Sequence, residues 1–174
     1  MIAATIEALA AFPARLETTF AEFPAALLDW SPPSWDGVPS EAFTPIAQIC
    51  HLRDIEVDGY RERFRRALGE DNPLLPTLDG FALARQRAYA EADPGVALAA
   101  FRAARADTVE LLSALGEREF ERPAIFEDYG ALTVRSLVHL LCSHDQQHLA
   151  GLHWLLARID MTRAAAPAQK KETT

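Results

Sequence analysis

The stretch LVHLLCSHDQQHLAG, residues 137–151, places His144 and His148 four positions apart in a segment that is predicted to be helical. Side chains separated by four positions on an α-helix lie about 5–6 Å apart at their Cβ atoms, so two imidazoles at this spacing can reach one metal ion. The same spacing occurs by chance on many helices, and two imidazoles do not complete a site. The pair therefore predicts a metal centre only if a third ligand faces it.

Helical periodicity dominates the rest of the chain, and strand signals are nearly absent, so the sequence predicts an all-α protein. A first helix is predicted over residues 2–23, where apolar residues recur every three or four positions, and Pro13 inside it can kink it. A second helix is predicted over residues 45–68. Thr44 can cap this helix, and Pro45 suits its first position because the missing N–H costs nothing there.

Three more helices and several loops complete the predicted architecture. The helices are predicted over residues 81–92, from Asp93-Pro94 to Gly116, and from Thr133 to about Ile159. A proline-rich crossover over residues 24–43 is expected to hold Trp30 and Trp35 against the helices, and residues 117–131 are predicted to form a loop. Four long helices, one short helix and two sizeable crossovers predict a four-helix bundle.

His51, in the second predicted helix, is the candidate third ligand. Bundles build metal sites from side chains on facing helices, which is how His51 could meet the pair. His139 and His153 lie five positions from His144 and His148, a rotation of about 140° that takes them off the shared face. Three of the five histidines thus form one set, and three protein ligands leave a coordination position open for water or substrate.

Length and composition fit one globular domain. The chain has 174 residues, of which 49% are hydrophobic and 24% charged, and a single domain is predicted over residues 1–160 with a mobile tail over residues 161–174. The net charge is −8, and no block of Lys or Arg is present that could follow a phosphate backbone. We therefore expect no nucleic-acid partner.

Cysteine usage and hydropathy predict the compartment. Cys50 and Cys142 are the only cysteines, too few for a disulfide framework, which favours a reducing environment. The N-terminal residues have no basic leader, and no apolar run approaches the roughly 18 residues of a membrane span. We therefore expect a cytoplasmic protein with no membrane partner.

These motifs resemble those of the DinB/YfiT-like superfamily, a group regarded as metal-dependent enzymes. The family pattern is a four-helix bundle with a His-Leu near the start of the second helix, usually after Trp-Ser, and a His-x-x-x-His in the last long helix. His51-Leu52 matches the first part and residues 137–151 match the second. The resemblance extends over residues 2–159, which is nearly the whole predicted bundle.

The resemblance implies a set of metal ligands and an oligomeric state. His51, His144 and His148 correspond to the family's metal ligands, which usually bind zinc or nickel. Phe43-Thr44-Pro45 stands in the usual Trp-Ser position, which keeps the aromatic residue and the cap but changes the packing beside the site. Relatives often form twofold dimers, so the resemblance also implies a homodimer.

Two carboxylates follow His51 on the second predicted helix. Asp58 and Glu62 lie seven and eleven positions after it, and Asp58 could orient a metal-ligating side chain by hydrogen bonding to it. The favoured alternative for both is surface pairing with Arg61, Arg65 or Arg66.

Four other residues near the motifs have open roles. Asp145 is rotated about 100° from its neighbouring histidine, so it is not expected to be a direct ligand, and a solvent-facing role and a supporting role are equally open. Glu127 and Tyr129 precede the last helix, where they could supply an acid or a phenol to a small-molecule substrate. Cys50 adjoins a proposed ligand, but a buried structural thiol is the favoured interpretation.

Two reaction classes follow from an open three-histidine site. Neutral imidazoles leave a divalent ion its full positive charge, so water or a thiol at the open position is acidified. One class is hydrolysis, which needs a nearby proton acceptor. The other is a transfer reaction with a low-molecular-weight thiol, implied by relatives that use mycothiol or bacillithiol. A non-catalytic metal-binding or stress-related interaction protein is the alternative.

Overall fold

The computed structural model describes residues 2–165, most of which are helical. The helices are α1 (Ala3–Phe20), α2 (Pro45–Asp54), α3 (Arg61–Gly69), α4 (Gly80–Gln86), α5 (Pro94–Ser113), α6 (Glu117–Phe120) and α7 (Val134–Ala165). A π-helical segment, Ile55–Tyr60, joins α2 to α3, so that the two form one continuous second helix. With α1, α5 and α7 it makes the four long helices of a bundle, which confirms the predicted fold class.

Helices α2 and α5 begin at the capping residues that the sequence predicted. The Thr44 hydroxyl accepts a hydrogen bond from the Ala47 backbone N–H at 3.4 Å, and the Asp93 carboxylate accepts one from the Val96 backbone N–H at 2.8 Å. A proline follows each cap at the first turn of the helix. Each cap satisfies a backbone donor that the helix itself cannot pair.

The core lies between the four long helices. Both α5 and α7 pack against α1 and α2. Toward its C-terminal end α7 buries Leu149 and Leu152 in one apolar cluster, and toward its N-terminal end it buries Leu137 and Leu141 in a second. The His144–His148 segment therefore lies on α7 between two apolar clusters, where packing holds the helix rigidly.

Several helix boundaries differ from the predicted ones. Helix α1 ends at Phe20 rather than at residue 23, and it runs without a break past Pro13. The predicted helix over residues 81–92 is divided, because Ala88 adopts a φ of 46° between α4 and a 3-10 turn, Tyr89–Glu91. The buried Tyr89 hydroxyl donates to the Asp54 carboxylate at 2.6 Å, a tertiary contact that overrides local helix propensity.

The last helix also continues further than predicted. It reaches Ala165, past Ile159, so that residues 161–165 of the expected mobile tail are helical. Alanines at positions 164 and 165 favour helix continuation. The rest of the expected tail, residues 166–174, lies outside the described residues.

A small sheet was not predicted. Its strands are β1 (Leu74–Leu75), β2 (Pro123–Phe126) and β3 (Gly130–Thr133). Strand β1 pairs with β2 in parallel, and β2 pairs with β3 as a hairpin. Residues 117–131, predicted to be a loop, thus contain α6, strand β2 and the first two residues of β3, because strands of two to four residues are too short to show a clear alternation in sequence.

Among residues 2–165, no helix is both long enough and apolar enough to cross a membrane.

Candidate metal centre

Four side chains from three parts of the chain meet at one point of the bundle. Helix α2 supplies His51, α7 supplies His144 and His148, and the crossover before α2 supplies Glu41. One nitrogen or oxygen atom from each lies within 4.8 Å of the others. The Nε2 atom of His144 is 3.3 Å from that of His51 and 3.1 Å from that of His148. The structure thus brings together the three histidines that the sequence selected and adds a carboxylate to them.

The donor set fits a divalent transition metal. Two nitrogens that each lie 2.0–2.1 Å from a tetrahedral zinc ion are about 3.3–3.4 Å from each other, close to the separations of the Nε2 atoms here. Imidazole nitrogen with carboxylate oxygen is a ligand combination that zinc and nickel accept. The cluster could therefore hold one metal ion, and its chemistry does not select between these two metals.

Gln48 on α2 orients His148. The fully buried Gln48 side chain donates from Nε2 to the Glu41 and Phe43 carbonyl oxygens at 3.2 and 3.3 Å. Only the amide NH₂ can donate to carbonyls, so Oε1 faces the other way and accepts a hydrogen bond from His148 Nδ1. His148 Nε2 is thereby directed at the cluster, and the same amide fixes the backbone that carries Glu41.

His51 is held by close packing. The Phe43 ring lies 5.0 Å from the His51 ring between centroids. Gly80 also lies close to this ring, since an added Cβ there would lie 2.7 Å from His51 Cε1 and 2.8 Å from Nδ1. A glycine at the start of α4 is therefore required for this helix to approach the histidine.

Gly80→Ala is expected to push the His51 ring away from the other histidines and to weaken zinc binding about tenfold, as loss of an orienting contact does. The folded state should not be lost, since alanine is the better helix former. A competition titration with a chromophoric chelator measures the affinity. Gly69→Ala is the matched control, because an added Cβ there meets nothing within 4 Å, and an equal loss in both variants would contradict the steric explanation.

Burial and hydrogen bonding set the charges of the cluster. The pKa of His51 falls to about 4, and the pKa of His144 lies well below its usual value, because burial disfavours the imidazolium. The pKa of Glu41 falls to about 2, chiefly because the neighbouring His148, whose Nε2 lies 3.1 Å from Oε2, stabilises the ionised carboxylate. At neutral pH two neutral imidazoles and an ionised carboxylate face one another, which are the protonation states that bind metals.

The two remaining histidines lie where the helix geometry predicted. His139 and His153 are exposed on α7, and neither belongs to the cluster. The Nδ1 atom of His139 lies 3.3 Å from the Thr5 hydroxyl.

Asp58 and Glu62 both pair with arginines outside the cluster. Glu62 binds Arg65 at 2.7 Å, as predicted. Asp58 instead binds Arg87 at 2.8 Å, so the predicted pairing with an arginine of its own helix was wrong. Arg87 follows α4, and its contact with Asp58 depends on the fold of the intervening loop rather than on helix spacing.

Asp145 has a supporting position. It is 1% exposed and accepts two hydrogen bonds from Arg105, at 2.6 and 2.9 Å, so the solvent-facing alternative was wrong. Arg105 also donates to Glu56 at 2.9 Å, and both partners are buried. Burial alone would lower the pKa of Arg105, but the two carboxylates outweigh it and raise the pKa. This ionic triad ties α5 and the second helix to α7 directly beside the histidine pair.

A cavity of about 360 Å³ opens beside the cluster. His51, His144 and Glu41 line one part of it, and Tyr129 from the β2–β3 turn lines another. Glu127 does not line it, because its carboxylate accepts a hydrogen bond from the Thr77 backbone N–H at 3.0 Å. Of the two loop residues that the sequence suggested, only Tyr129 can meet a molecule in this cavity.

Cys50 is a structural thiol. It is completely buried, and burial raises its pKa to about 11. It takes no part in the cluster, as the sequence favoured.

The comparisons with known proteins agree with this architecture. The sequence model of the DinB superfamily matches residues 8–152. Among solved structures, the chain is similar to YfiT from Bacillus subtilis, which is described as a probable metal-dependent hydrolase with an unusual four-helix bundle topology. The TM-score is 0.78 and the sequence identity 25%, over 90% of this chain and 86% of that chain. No curated protein matches the chain.

Proposed function

The chain belongs to the DinB superfamily, and on this basis we propose that it is a metal-dependent hydrolase whose metal, zinc or nickel, is held by His51, His144 and His148. The proposal is supported by the meeting of three histidine Nε2 atoms within a few ångströms beside an open cavity. It is further supported by the similarity to YfiT and its description as a hydrolase. The substrate is a small molecule, because a cavity of about 360 Å³ is at the small end of ligand sites.

Glu41 supports hydrolysis over the other reaction classes. When bound, the metal supplies Lewis-acid activation of water and of the substrate's carbonyl or related group. The protein must supply a proton acceptor, and Glu41 is placed for this role: its side chain is 40% exposed, it lines the cavity, and it lies 3.1 Å from His148. A carboxylate at this position takes the proton of the attacking water and returns it to the leaving group.

Glu41→Gln is expected to lower kcat for ester or amide hydrolysis by about 10²–10⁴, because an amide cannot take up the proton. A panel of 4-nitrophenyl esters and anilides, assayed with zinc or nickel and without added thiol, supplies the measurement. Metal content of the variant should stay near that of the wild type if three histidines hold the ion.

Asp36→Asn is the matched control, since Asp36 is exposed on the same crossover, and its activity should equal that of the wild type. Turnover that requires an added low-molecular-weight thiol would favour the transferase alternative. Absence of turnover across both panels, with metal bound, would favour a non-catalytic metal-binding protein.

A further inference from the structure

Arg63 on α3 lies in the wall of the same cavity without a carboxylate partner. Its side chain is buried, with 5% of the residue exposed, and its Nη2 donates to the Pro76 carbonyl oxygen at 3.1 Å. Its Nε is buried and has no hydrogen-bond partner within the described part of the chain. Among residues 2–165 no carboxylate oxygen lies within 4.0 Å of this guanidinium, whereas the more deeply buried Arg105 binds two carboxylates. A buried cation without an anion is costly, so its presence at a cavity requires a reason.

Aromatic rings hold the Arg63 guanidinium in place but do not neutralise it. The guanidinium carbon lies 4.4 Å from the centre of the Phe126 ring and 5.0 Å from that of Tyr60. Ring faces attract a cation, yet they occupy none of its N–H donors. Burial lowers the pKa of Arg63, but a guanidinium remains charged in proteins. The cavity wall therefore contains a positively charged guanidinium whose Nε has no hydrogen-bond partner among residues 2–165.

The cavity joins this guanidinium to the candidate metal centre. Arg63, His51 and His144 all line it, and among residues 2–165 Arg63 is the one basic side chain besides histidine in its lining. A single small molecule in this cavity of about 360 Å³ can therefore contact both the arginine and the histidine cluster.

We infer that the cavity binds a substrate that carries a carboxylate, which Arg63 holds by charge-assisted hydrogen bonds. The part of this inference that places the reacting group at the histidine cluster rests on the proposed hydrolase function. Guanidinium forks match the geometry of a carboxylate, and such bonds are stronger than neutral ones. Tyr129 and Phe81 also line the cavity, so an apolar or aromatic body fits beside the charged group.

The other charges around the cavity favour a carboxylate over a phosphate. Glu41, Asp79 and Asp128 also line it. Asp79 caps α4 by accepting a hydrogen bond from the Ala82 backbone N–H, and Asp128 accepts one from the Thr77 hydroxyl at 2.6 Å. Neither carboxylate is paired with a cation by these contacts, so both repel an anion in the cavity. A singly charged carboxylate meets less repulsion here than a doubly charged phosphate.

The test is a calorimetric titration of the metal-free full chain with 4-phenylbutanoate and with its neutral amide. Metal-free protein is used because a metal ion would itself bind the carboxylate. We expect the wild type to bind the acid at least about tenfold more tightly than the amide, because one charge-assisted hydrogen bond contributes about that difference in affinity. Arg63→Met should remove that preference, and Arg63→Lys should keep only part of it.

Arg65→Met is the control, because Arg65 is exposed on the same helix and pairs with Glu62 outside the cavity. Equal binding of acid and amide to the wild type would overturn the inference, whether or not Arg63→Met folds. So would a preference that persists in Arg63→Lys and Arg63→Met at wild-type strength. Tighter binding of phenyl phosphate than of the acid would overturn the carboxylate assignment. Because no metal or turnover enters this titration, its failure is separate from failure of the hydrolase proposal.

Discussion

Replacing His148 by alanine is expected to lower the affinity for zinc or nickel by at least about a hundredfold, more than the loss of an orienting contact would. His148 is fully buried, and its Nε2 lies 3.1 Å from both His144 Nε2 and a Glu41 oxygen, so it is the central member of the cluster. Its loss leaves two imidazoles on different helices. A chelator competition titration on protein without a histidine tag measures the change.

His153→Ala is the control for this prediction. His153 is exposed on the same helix and outside the cluster, so its replacement should leave the affinity unchanged. Thermal unfolding of both variants separates loss of a ligand from loss of the fold. Wild-type affinity in folded His148→Ala would contradict the proposed ligand set.

Arg105→Met is expected to destabilise the protein by about 3–5 kcal/mol, because it leaves two buried carboxylates without their cation. Asp145 and Glu56 are each 1% exposed, and both receive hydrogen bonds from Arg105. For a chain of this length such a loss corresponds to a fall in Tm of roughly 6–20 °C. Urea unfolding followed by circular dichroism measures the free energy.

Arg61→Met is the matched control. Arg61 pairs with Asp107 at 3.2 Å, but the two side chains are 43% and 59% exposed, and such pairs contribute at most about 1 kcal/mol. An equally small effect in Arg105→Met would mean that the buried triad does not hold the helices together.

The features that the sequence predicted correctly depend on local pattern. Helix periodicity, together with the caps Thr44 and Asp93, was enough to place the long helices of the bundle. The i to i+4 spacing put His144 and His148 on one face, and the resemblance assigned His51 to them. The structure brings these three together, while their role as metal ligands stays a proposal.

The features that the sequence did not reveal depend on contacts between distant residues. Gln48 and His148 are 100 positions apart, and nothing in the pattern around Gln48 marks it as a partner. Glu41 lies in the proline-rich crossover, and its approach to the histidines depends on the tertiary fold rather than on a local pattern. Nothing in the sequence sets Arg63 apart from the neighbouring arginines, because strand β2, whose Phe126 ring packs against its guanidinium, was not predicted. The homodimer and the cytoplasmic location remain predictions.

The most direct test of the metal-centre proposal is the metal content of the untagged wild-type protein after dialysis against zinc or nickel. A three-histidine site predicts about one equivalent per chain, lost from the triple variant His51→Ala, His144→Ala, His148→Ala. Folded wild-type protein that retains no metal, or a triple variant that retains a full equivalent, would contradict the account.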